Sequence, residues 1–428
     1  MHQKMTRRML RTAVAAALGL GLAAQAQAAG FMIVEQNVRE VGRSVAGASA
    51  SSDGLGSMFF NAASITKYEG MQGAAAMHVI IPSAEFTGSR TPEAPLPAVP
   101  PFSQSGSGKT DEMGLVPNAY VVADINEKIK FGLGINAPFG LVTEYDPTWV
   151  GRYHAIRSDL KTININPTIG YRVSDRLSLG FGVSAMYADV ELTQAVFTLG
   201  GDGKAVLSGD DWGFGFNLGM QYDLSDATTL GFAFRSKVEQ ELEGTSSLTL
   251  PGVPFPIVSF ITADLTLPDN ASFGMSHKFT SDWTLMADVA WTNWSVFDRL
   301  YAVDSTGAPV VDQTSDWEDS WRYSMGLEYN PGSQWTWRAG IAFDETPIPS
   351  AERRTPRIPG EDRTWLSFGF SYEASENLSI DFAYAHLFVD DARINNTTEN
   401  LPPGANFTLT GEFDSTTDII SAQMTYKF

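Results

Sequence analysis

The side chains that most often perform catalysis or bind metals are sparse in this chain. It has no cysteine, and the histidines beyond its first residues are widely scattered, as His78, His154, His277 and His386. Neither an H-E-x-x-H metal spacing nor a G-x-S-x-G nucleophile elbow occurs. The sequence therefore predicts no catalytic residues, no metal site and no cofactor. The remaining chemistry is apolar contact, and its placement depends on the elements that carry it.

Apolar residues alternate with small or polar ones over long stretches of the chain. In DWGFGFNLGMQYD, residues 211–223, the even positions are apolar and the odd ones are small or polar. A period of two sends successive side chains to opposite faces of a β-strand. The pattern recurs at 177–188, 284–291, 366–372 and 378–384. A soluble β-sandwich would explain one such segment, so the choice depends on the connections.

The connections between these strands alternate in length. Short turns are predicted near 124–128, 174–176, 224–227, 280–282, 330–334 and 374–377. Long connections lie between them, at 88–112, 138–158, 194–210, 244–260, 299–316, 345–361 and 390–415. Tight turns on one side and long loops on the other are typical of outer-membrane barrels. We therefore predict an all-β fold, a transmembrane antiparallel β-barrel of about 14 strands.

Both ends of the chain carry features of an exported membrane protein. Basic residues from Lys4 to Arg11, the apolar run 13–24 and the motif Ala26-Gln27-Ala28 predict a cleaved signal peptide rather than a membrane anchor. The last residues, IISAQMTYKF, alternate in polarity and resemble the C-terminal strand of outer-membrane barrels, with Phe428 at the chain end. We therefore expect the bacterial outer membrane, with its lipid and lipopolysaccharide, as the location.

Charge and aromatic content agree with this location. The net charge of −20 moves to −24 when the four basic residues of the signal peptide are removed, which disfavours nucleic acid as a partner. Interfacial girdles are predicted from tryptophans near strand ends, namely Trp291, Trp294, Trp317, Trp321, Trp335, Trp337 and Trp365.

A segment rich in Gly, Ala and Ser precedes the first convincing strand. A barrel of this strand count encloses a lumen too wide for its own wall side chains to fill. Apolar residues such as Phe31, Ile33 and Phe60 favour a compact plug over a free periplasmic tail. The predicted organisation is a signal peptide at 1–28, an N-terminal hatch at 29–68 and a barrel at 69–428.

Several motifs resemble the FadL-type outer-membrane transporters of long-chain fatty acids and related hydrophobic compounds. The most specific are GIAFDETPIP at 340–349 and RIPGEDRTWLSFG at 357–369, and the resemblance covers essentially the whole chain after the signal peptide. It implies a fourteen-stranded monomeric barrel that takes up a hydrophobic small molecule by passive diffusion. The hatch positions that match the family are Gly42, Arg43, Asn61, Ala62 and Ala63.

The resemblance also implies a route for the substrate. An apolar groove among the extracellular loops captures it, an interior pocket receives it, and a gap at an inward kink of the third strand releases it laterally. Pro138, Phe139 and Gly140 match the kink, since proline and glycine interrupt strand ladders; an ordinary strand end is the alternative. A strand extension is the alternative for the connection 244–260. Capture is expected on apolar residues of this connection and of the preceding long one: Phe197, Leu199, Val206, Leu207, Leu248, Leu250, Val253, Phe255, Ile257, Val258 and Phe260.

Departures from the family's pattern leave the substrate open. Ala62 stands where familiar members have proline, so the backbone restriction of proline is missing. Gln194 and Glu318 stand where familiar members present basic residues to a carboxylate. Arginine pairs well with carboxylates, so substitute partners are sought among Arg235, Arg322 and Arg338. Neutral aromatic or aliphatic hydrocarbons are an alternative substrate, and a general porin or a barrel lipase or protease are alternatives of another class.

Overall fold

The computed structural model describes residues 30–93, 104–398 and 406–428. The predicted signal peptide lies outside these residues, as do parts of the first and last long connections. One sheet of antiparallel strands dominates the described chain. None of the helices in these three ranges is long and apolar enough to cross a membrane.

Fourteen strands form a closed wall, so the predicted fold class is confirmed. The last strand pairs with the first along its length, from Gln72 opposite Lys427 to Pro92 opposite Phe407, and every other strand pairs with its sequence neighbours. The strands are β1 (Gln72–Pro92), β2 (Gly114–Asp124), β3 (Ile129–Asn136), β4 (Arg157–Arg172), β5 (Leu177–Thr198), β6 (Gly201–Ser225), β7 (Thr228–Arg235), β8 (Asn270–Lys278), β9 (Trp283–Thr292), β10 (Ser320–Tyr329), β11 (Trp335–Asp344), β12 (Arg363–Ser375), β13 (Leu378–Val389) and β14 (Phe407–Lys427).

The predicted short turns all connect neighbouring wall strands, but several predicted loops are strands. Residues 194–210 belong to β5 and β6, which are joined only by Leu199 and Gly200, so the long connection expected there is wrong. The connection 244–260 lies in a hairpin between β7 and β8. The described residues contain seven further strands, which we call the strand extensions, on the side of the long connections. They are Gln104–Thr110, Gly140–Glu144, Val238–Thr249, Ile257–Leu267, Arg299–Asp304, Pro309–Thr314 and Ala392–Thr397.

The two faces of the wall differ as the alternation predicts. On β6, Phe214 is 75% exposed on the outer face, whereas Asn217 and Gln221 are 3% and 1% exposed on the inner face. Of the seven tryptophans predicted for the girdles, Trp291 is half-buried, and the other six divide into two groups. Trp321, Trp335 and Trp337 are exposed on the outside, but the girdle prediction is wrong for three others, because they are buried: Trp294, Trp317 and Trp365.

The segment that precedes the wall is folded and almost entirely buried. It contains the one-turn helices α1 (Val38–Val41) and α2 (Ser57–Phe60) and the 3₁₀ helix Ala62–Lys67. Its hydrogen bonds reach strands around the whole circumference. Asn118 of β2 donates to the carbonyl of Glu35, Thr66 bonds Ser178 of β5, Ser49 bonds Asp288 of β9, and Arg39 bonds Asp381 of β13. The segment therefore lies inside the barrel.

Glycines on the inner face of the wall make room for this segment. A Cβ at Gly231 would lie 2.0 Å from the carbonyl oxygen of Ser49, and one at Gly340 would lie 2.1 Å from the carbonyl carbon of Arg43. Real atoms never approach so closely, so a side chain at either position must displace the segment. Gly180 and Gly219 adjoin Ala62 in the same way.

We expect Gly231→Ala to loosen the segment from the wall, because overpacking of a tight contact costs about 1–3 kcal/mol. The lumen is too wide to close by itself. Proteoliposomes with this variant should admit a small polar sugar severalfold faster than wild type in a swelling assay.

Gly73→Ala is the matched control, because its Cβ would make only an ordinary 3.4 Å contact with Phe428. It should behave as wild type. Equal permeability of Gly231→Ala and wild type would contradict this account of how the lumen is closed.

Candidate transport site

The wall is interrupted at the third strand. β3 ends at Asn136, and the chain resumes pairing with β4 only at Gly140. Between them, the hydroxyl of Thr162 accepts from the Phe139 amide at 3.0 Å and donates to the Phe139 carbonyl at 2.6 Å. A threonine side chain thus takes the place of a ladder bond. The structure therefore puts the sequence-predicted residues Pro138, Phe139 and Gly140 at a break in the strand, as expected for a kink.

The interrupted stretch pairs inward with the start of the N-terminal segment. The Ile33 amide donates to the Pro138 carbonyl at 2.8 Å, and the Gly140 amide donates to the Phe31 carbonyl at 3.0 Å. Gln36 adds a bond from its side-chain amide to the carbonyl of Ala137. Backbone groups that leave the wall ladder are therefore satisfied inside the barrel.

The kink leaves a gap in the wall. The ladder between β2 and β3 ends at Ala119 and Ile135, although β2 starts at Gly114 and pairs with β1 from there. Within the described residues, no ladder joins 114–118 to the chain beyond Ile135. The opening faces the N-terminal segment, since Asn118 contacts Glu35.

An aromatic cluster surrounds Phe31. Its ring lies 4.7 Å from the Trp294 ring, 5.5 Å from Phe297, 5.8 Å from Trp317 and 6.2 Å from Phe139, measured between centroids. Gly30 beside it has φ +66°, and a Cβ there would lie 2.5 Å from the Trp294 indole, so only glycine fits. The start of the segment is thereby held against the kink.

Two cavities lie on either side of this cluster. Phe31 lines the outer cavity and Met32 the inner one. The outer cavity is lined by Val190 of β5. The inner cavity is lined by Asn217 of β6, whose partner on β5 is Gly182. Gly182 is nearer than Val190 to the short turn at the start of β5. The kink residue Phe139 faces Thr162, whose β5 partner is Ala188. The wall gap therefore lies at a level between the two cavities.

The outer cavity is largely apolar. A groove shares its Leu192 and Leu242 and continues outward to Leu207 and Ile261 of the strand extensions. The charged residues that line the outer cavity are Asp264, Arg353 and Arg357. The apolar residues that line it are Phe31, Leu141, Leu160, Val190, Leu192, Leu242, Ala263, Leu265, Phe297, Leu300, Trp317, Ile348 and Ile358.

The residues expected to capture substrate mostly lie away from this cavity. Phe255 and Phe260 are 76% and 77% exposed, at the tip and on the far face of the 238–267 hairpin. The cavity is instead lined by Leu242 and Leu265 of the same hairpin. The alternation of Val238, Gln240 and Leu242 with three glutamates was the sequence signal for that inner face. Leu207 of the expected capture residues lines the groove, and the others line neither the groove nor either cavity: Phe197, Leu199, Val206, Leu248, Leu250, Val253, Phe255, Ile257, Val258 and Phe260.

The three arginines proposed as carboxylate partners have different surroundings. Arg338 is already paired, with Asp53 at 2.7 Å and Glu328 at 2.8 Å, so that expectation is corrected. Arg235 and Arg322 both line the inner cavity. The Arg235 guanidinium donates to the Phe59 carbonyl and the Ser184 hydroxyl and lies 4.4 Å from the centre of the Phe59 ring.

The sequence-predicted hatch residues make close contacts with the wall. A Cβ at Gly42 would lie 3.0 Å from the Cα atom of Gly369 of β12, so the two backbones pack closely. The Asn61 side chain donates to three carbonyls, including those of Met220 and Phe232, and accepts from the Ala63 amide at 2.9 Å. Asn61 has φ −145° and ψ 112°, the extended region that a following proline would impose. The hydrogen bond from the Ala63 amide to the Asn61 side chain therefore holds Asn61 in this backbone conformation, which Ala62, unlike proline, does not impose.

A buried network of charges joins this segment to the wall. Asp53 accepts from Arg39 at 2.5 Å, Arg43 at 3.2 Å and Arg338 of β11 at 2.7 Å. Arg43 also pairs with Glu40 at 2.5 Å. Burial alone would raise the pKa of the Asp53 carboxyl, but the guanidinium groups of Arg338, Arg39 and Arg43 outweigh it and hold this pKa well below its usual range.

The four histidines in the part of the chain that the structure describes form no shared site. His386 bonds Asp418 rather than the sequence neighbours Asp390 and Asp391, at 2.8 Å. The remaining three bond a serine, a backbone carbonyl and a threonine, for His78, His154 and His277 respectively. Across the ranges that the structure covers, no group of three or more His, Asp or Glu residues could hold a metal ion.

A closed barrel with an internal N-terminal segment, an interrupted third strand and apolar cavities is the architecture of an outer-membrane transport protein. The family model "Outer membrane protein transport protein (OMPP1/FadL/TodX)" matches residues 19–428. The chain belongs to this family, whose members are transporters and channels, and it is an outer-membrane protein.

Relatives and solved structures agree with this assignment. The long-chain fatty acid transport protein of Escherichia coli K12 is 28% identical, over 90% of this chain and 93% of that protein. Outer membrane protein P1 of Haemophilus influenzae is 30% identical, over 90% of each chain. The crystal structure of a Pseudomonas aeruginosa FadL homologue has a TM-score of 0.83 and 25% identity, covering 94% of this chain and all of that one. The Pseudomonas putida toluene transporter TodX shares the fold, with a TM-score of 0.70, 18% identity and coverage of 92% and 99%.

We expect Asp53→Asn to weaken the docking of the N-terminal segment by about 3 kcal/mol, because it leaves buried guanidinium groups without their shared counter-charge. The side chain of Asp53 is 23% exposed, which places the cost at the low end of that principle's range. The urea concentration at which a protease first cleaves the segment measures the effect.

The stability with which the N-terminal segment is docked should also decrease at low pH in the same assay. Because the folded pKa of Asp53 is depressed, its stabilisation is complete above the ordinary carboxyl pKa of about 4 and is lost only as pH falls through the lower folded value. Asp53→Asn should lack this acid step. Asp226→Asn, in an exposed short turn, is the control and should keep the acid step. If both variants lose the acid step equally, the step does not come from Asp53.

Proposed function

We propose that this protein takes up long-chain fatty acids across the outer membrane by passive diffusion. The observation that carries the proposal is the break at 137–139, which opens the wall at a level between two cavities and is bonded to residues 31–33. The relatives named as long-chain fatty acid transport proteins support it. We take the 29–68 segment as the hatch and 69–428 as the barrel.

The route begins at the apolar groove among the strand extensions and leads into the outer cavity. From there a ligand passes Phe31, enters the inner cavity or the gap beside β2, and leaves laterally into the membrane. Apolar surfaces exclude polar solutes and offer similar environments at each stage. Movement down a gradient then needs neither cofactor nor energy input, provided that no stage binds much more tightly than the next.

A neutral hydrocarbon is the second candidate substrate. The outer cavity is mostly apolar, and a cavity of that character accepts alkyl chains and aromatic rings through the same contacts. The toluene transporter TodX shares the fold. The two candidates differ in one group, the carboxylate, so they require the same barrel, kink and hatch and differ only in what recognises that group.

We expect Thr162→Val to reduce uptake of oleate severalfold in cells that lack other such transporters. Valine has nearly the same shape but removes both bonds to the Phe139 backbone, and each buried group left unpaired costs about 1–3 kcal/mol. The inward kink should relax while the cavities remain.

Thr162→Ser keeps the hydroxyl and is the matched control. The reading of the kink as the exit requires that Thr162→Val transport poorly while the purified variant still binds oleate. Normal uptake by a folded Thr162→Val barrel would remove the kink from the proposed route.

A second comparison separates the cavity from the hairpin tip. Leu265 lines the outer cavity and is 8% exposed, whereas Phe255 is 76% exposed at the tip. Leu265→Asp places a charge among apolar groups and should raise the oleate concentration for half-maximal uptake at least about tenfold, and Phe255→Asp should raise it far less. A larger effect at Phe255 would place capture on the tip, as the sequence predicts.

A further inference from the structure

Arg357 is a buried cation whose partners are all neutral. It lies in the connection between β11 and β12 and is 7% exposed. Its guanidinium donates to the Ser158 hydroxyl at 2.9 Å, the Gln194 side-chain carbonyl at 2.8 Å and the Arg157 backbone carbonyl at 3.3 Å. Within the described chain, no carboxylate lies within ion-pair distance of it.

Nearby arginines, in contrast to Arg357, are paired with carboxylates. Arg157 pairs with Asp159 at 2.7 Å, Arg353 pairs with Asp316 at 2.7 Å, and Arg354 pairs with Glu361. Burial lowers the pKa of Arg357 to about 10, so the group still carries its charge at neutral pH. A buried charge without a counter-charge is costly, and none of the described acidic residues is paired with Arg357.

The charge faces the outer cavity. Arg357 lines that cavity together with Leu160, Leu192 and Ile348. Its three hydrogen bonds leave part of its five-donor capacity unused. An apolar surround strengthens any charge-assisted bond made there, and arginine matches a carboxylate with two parallel bonds.

The guanidinium is also held in position before any ligand arrives. Ser158 and Gln194 belong to the neighbouring strands β4 and β5. The backbone beside it is tied down, since Tyr145 donates to the Pro356 carbonyl at 2.8 Å and Thr143 to the Arg357 carbonyl at 3.3 Å. A preorganised donor loses little freedom when it binds.

We propose that Arg357 is the carboxylate anchor of the outer cavity and makes this protein prefer long-chain acids to neutral hydrocarbons of the same length. The anion supplies the missing counter-charge while the alkyl chain lies against the apolar lining. This inference rests on the proposed function. It names the fatty acid, rather than the neutral hydrocarbon, as the substrate that the outer cavity prefers.

The test measures binding of palmitate and of the matched fatty alcohol to full-length protein in lipid nanodiscs. Arg357→Gln should weaken palmitate binding at least about tenfold, the loss of a charge-assisted pair, and change alcohol binding less than about twofold. Arg357→Lys should recover part of the preference, because it keeps the charge but not the planar fork.

Arg152→Gln is the matched control. Arg152 is an extracellular arginine paired with Asp202 at 2.6 Å and outside the cavity, so this variant removes the same charge without touching the site. It should keep the palmitate preference. A loss there equal to that in Arg357→Gln would mean general attraction of anions and would overturn the proposal.

Two further outcomes overturn the inference. Equal weakening of acid and alcohol by Arg357→Gln would assign Arg357 to packing, and an unchanged acid preference would assign discrimination elsewhere, for example to Arg235 in the inner cavity. If folded wild-type protein binds neither compound, the proposed function itself fails. That result differs visibly from a failure of Arg357 alone, in which wild type still binds both.

Discussion

The structure depends on one constraint: in hydrocarbon, every backbone amide and carbonyl must find its partner within the protein. The pairing of β14 with β1 closes the wall and removes its edges. At 137–139 the ladder is broken, and Thr162 and residues 31–33 take over the freed groups. The opening in the wall and the position of the N-terminal segment are therefore one feature, since neither satisfies its backbone without the other.

The charges inside the barrel fall into two kinds. Those that join the N-terminal segment to the wall are matched, with Asp53 shared by three guanidinium groups. Two arginines that line the cavities, Arg235 and Arg357, bond only neutral groups and a ring. A matched network holds its parts in one arrangement, whereas an unmatched cation keeps capacity for an anion. In the proposed transport route, the matched charges hold the segment in place and these two arginines are available to the ligand.

Much of the fold was readable from local pattern. The six short turns, the strand count and the lipid-facing side of residues 211–223 follow from a period of two and from turn composition, which are properties of neighbouring residues. Errors arose where the same pattern serves two environments. Residues 194–210 alternate only weakly, yet they form the paired ends of β5 and β6. Trp294 and Trp317 are as aromatic as girdle residues but pack around Phe31.

The sequence by itself determined an exported, closed, antiparallel wall with an apolar outside, because alternation and turn chemistry are encoded residue by residue. The resemblance to known transporters predicts a kink at Pro138 to Gly140, where the pairing with β4 is interrupted. Only the tertiary structure decided which charges are matched. Arg338 and Arg357 look alike in the sequence, yet one meets Asp53 and Glu328 while the other meets Ser158 and Gln194. Those partners lie far away along the chain and become neighbours only when the barrel closes around its segment.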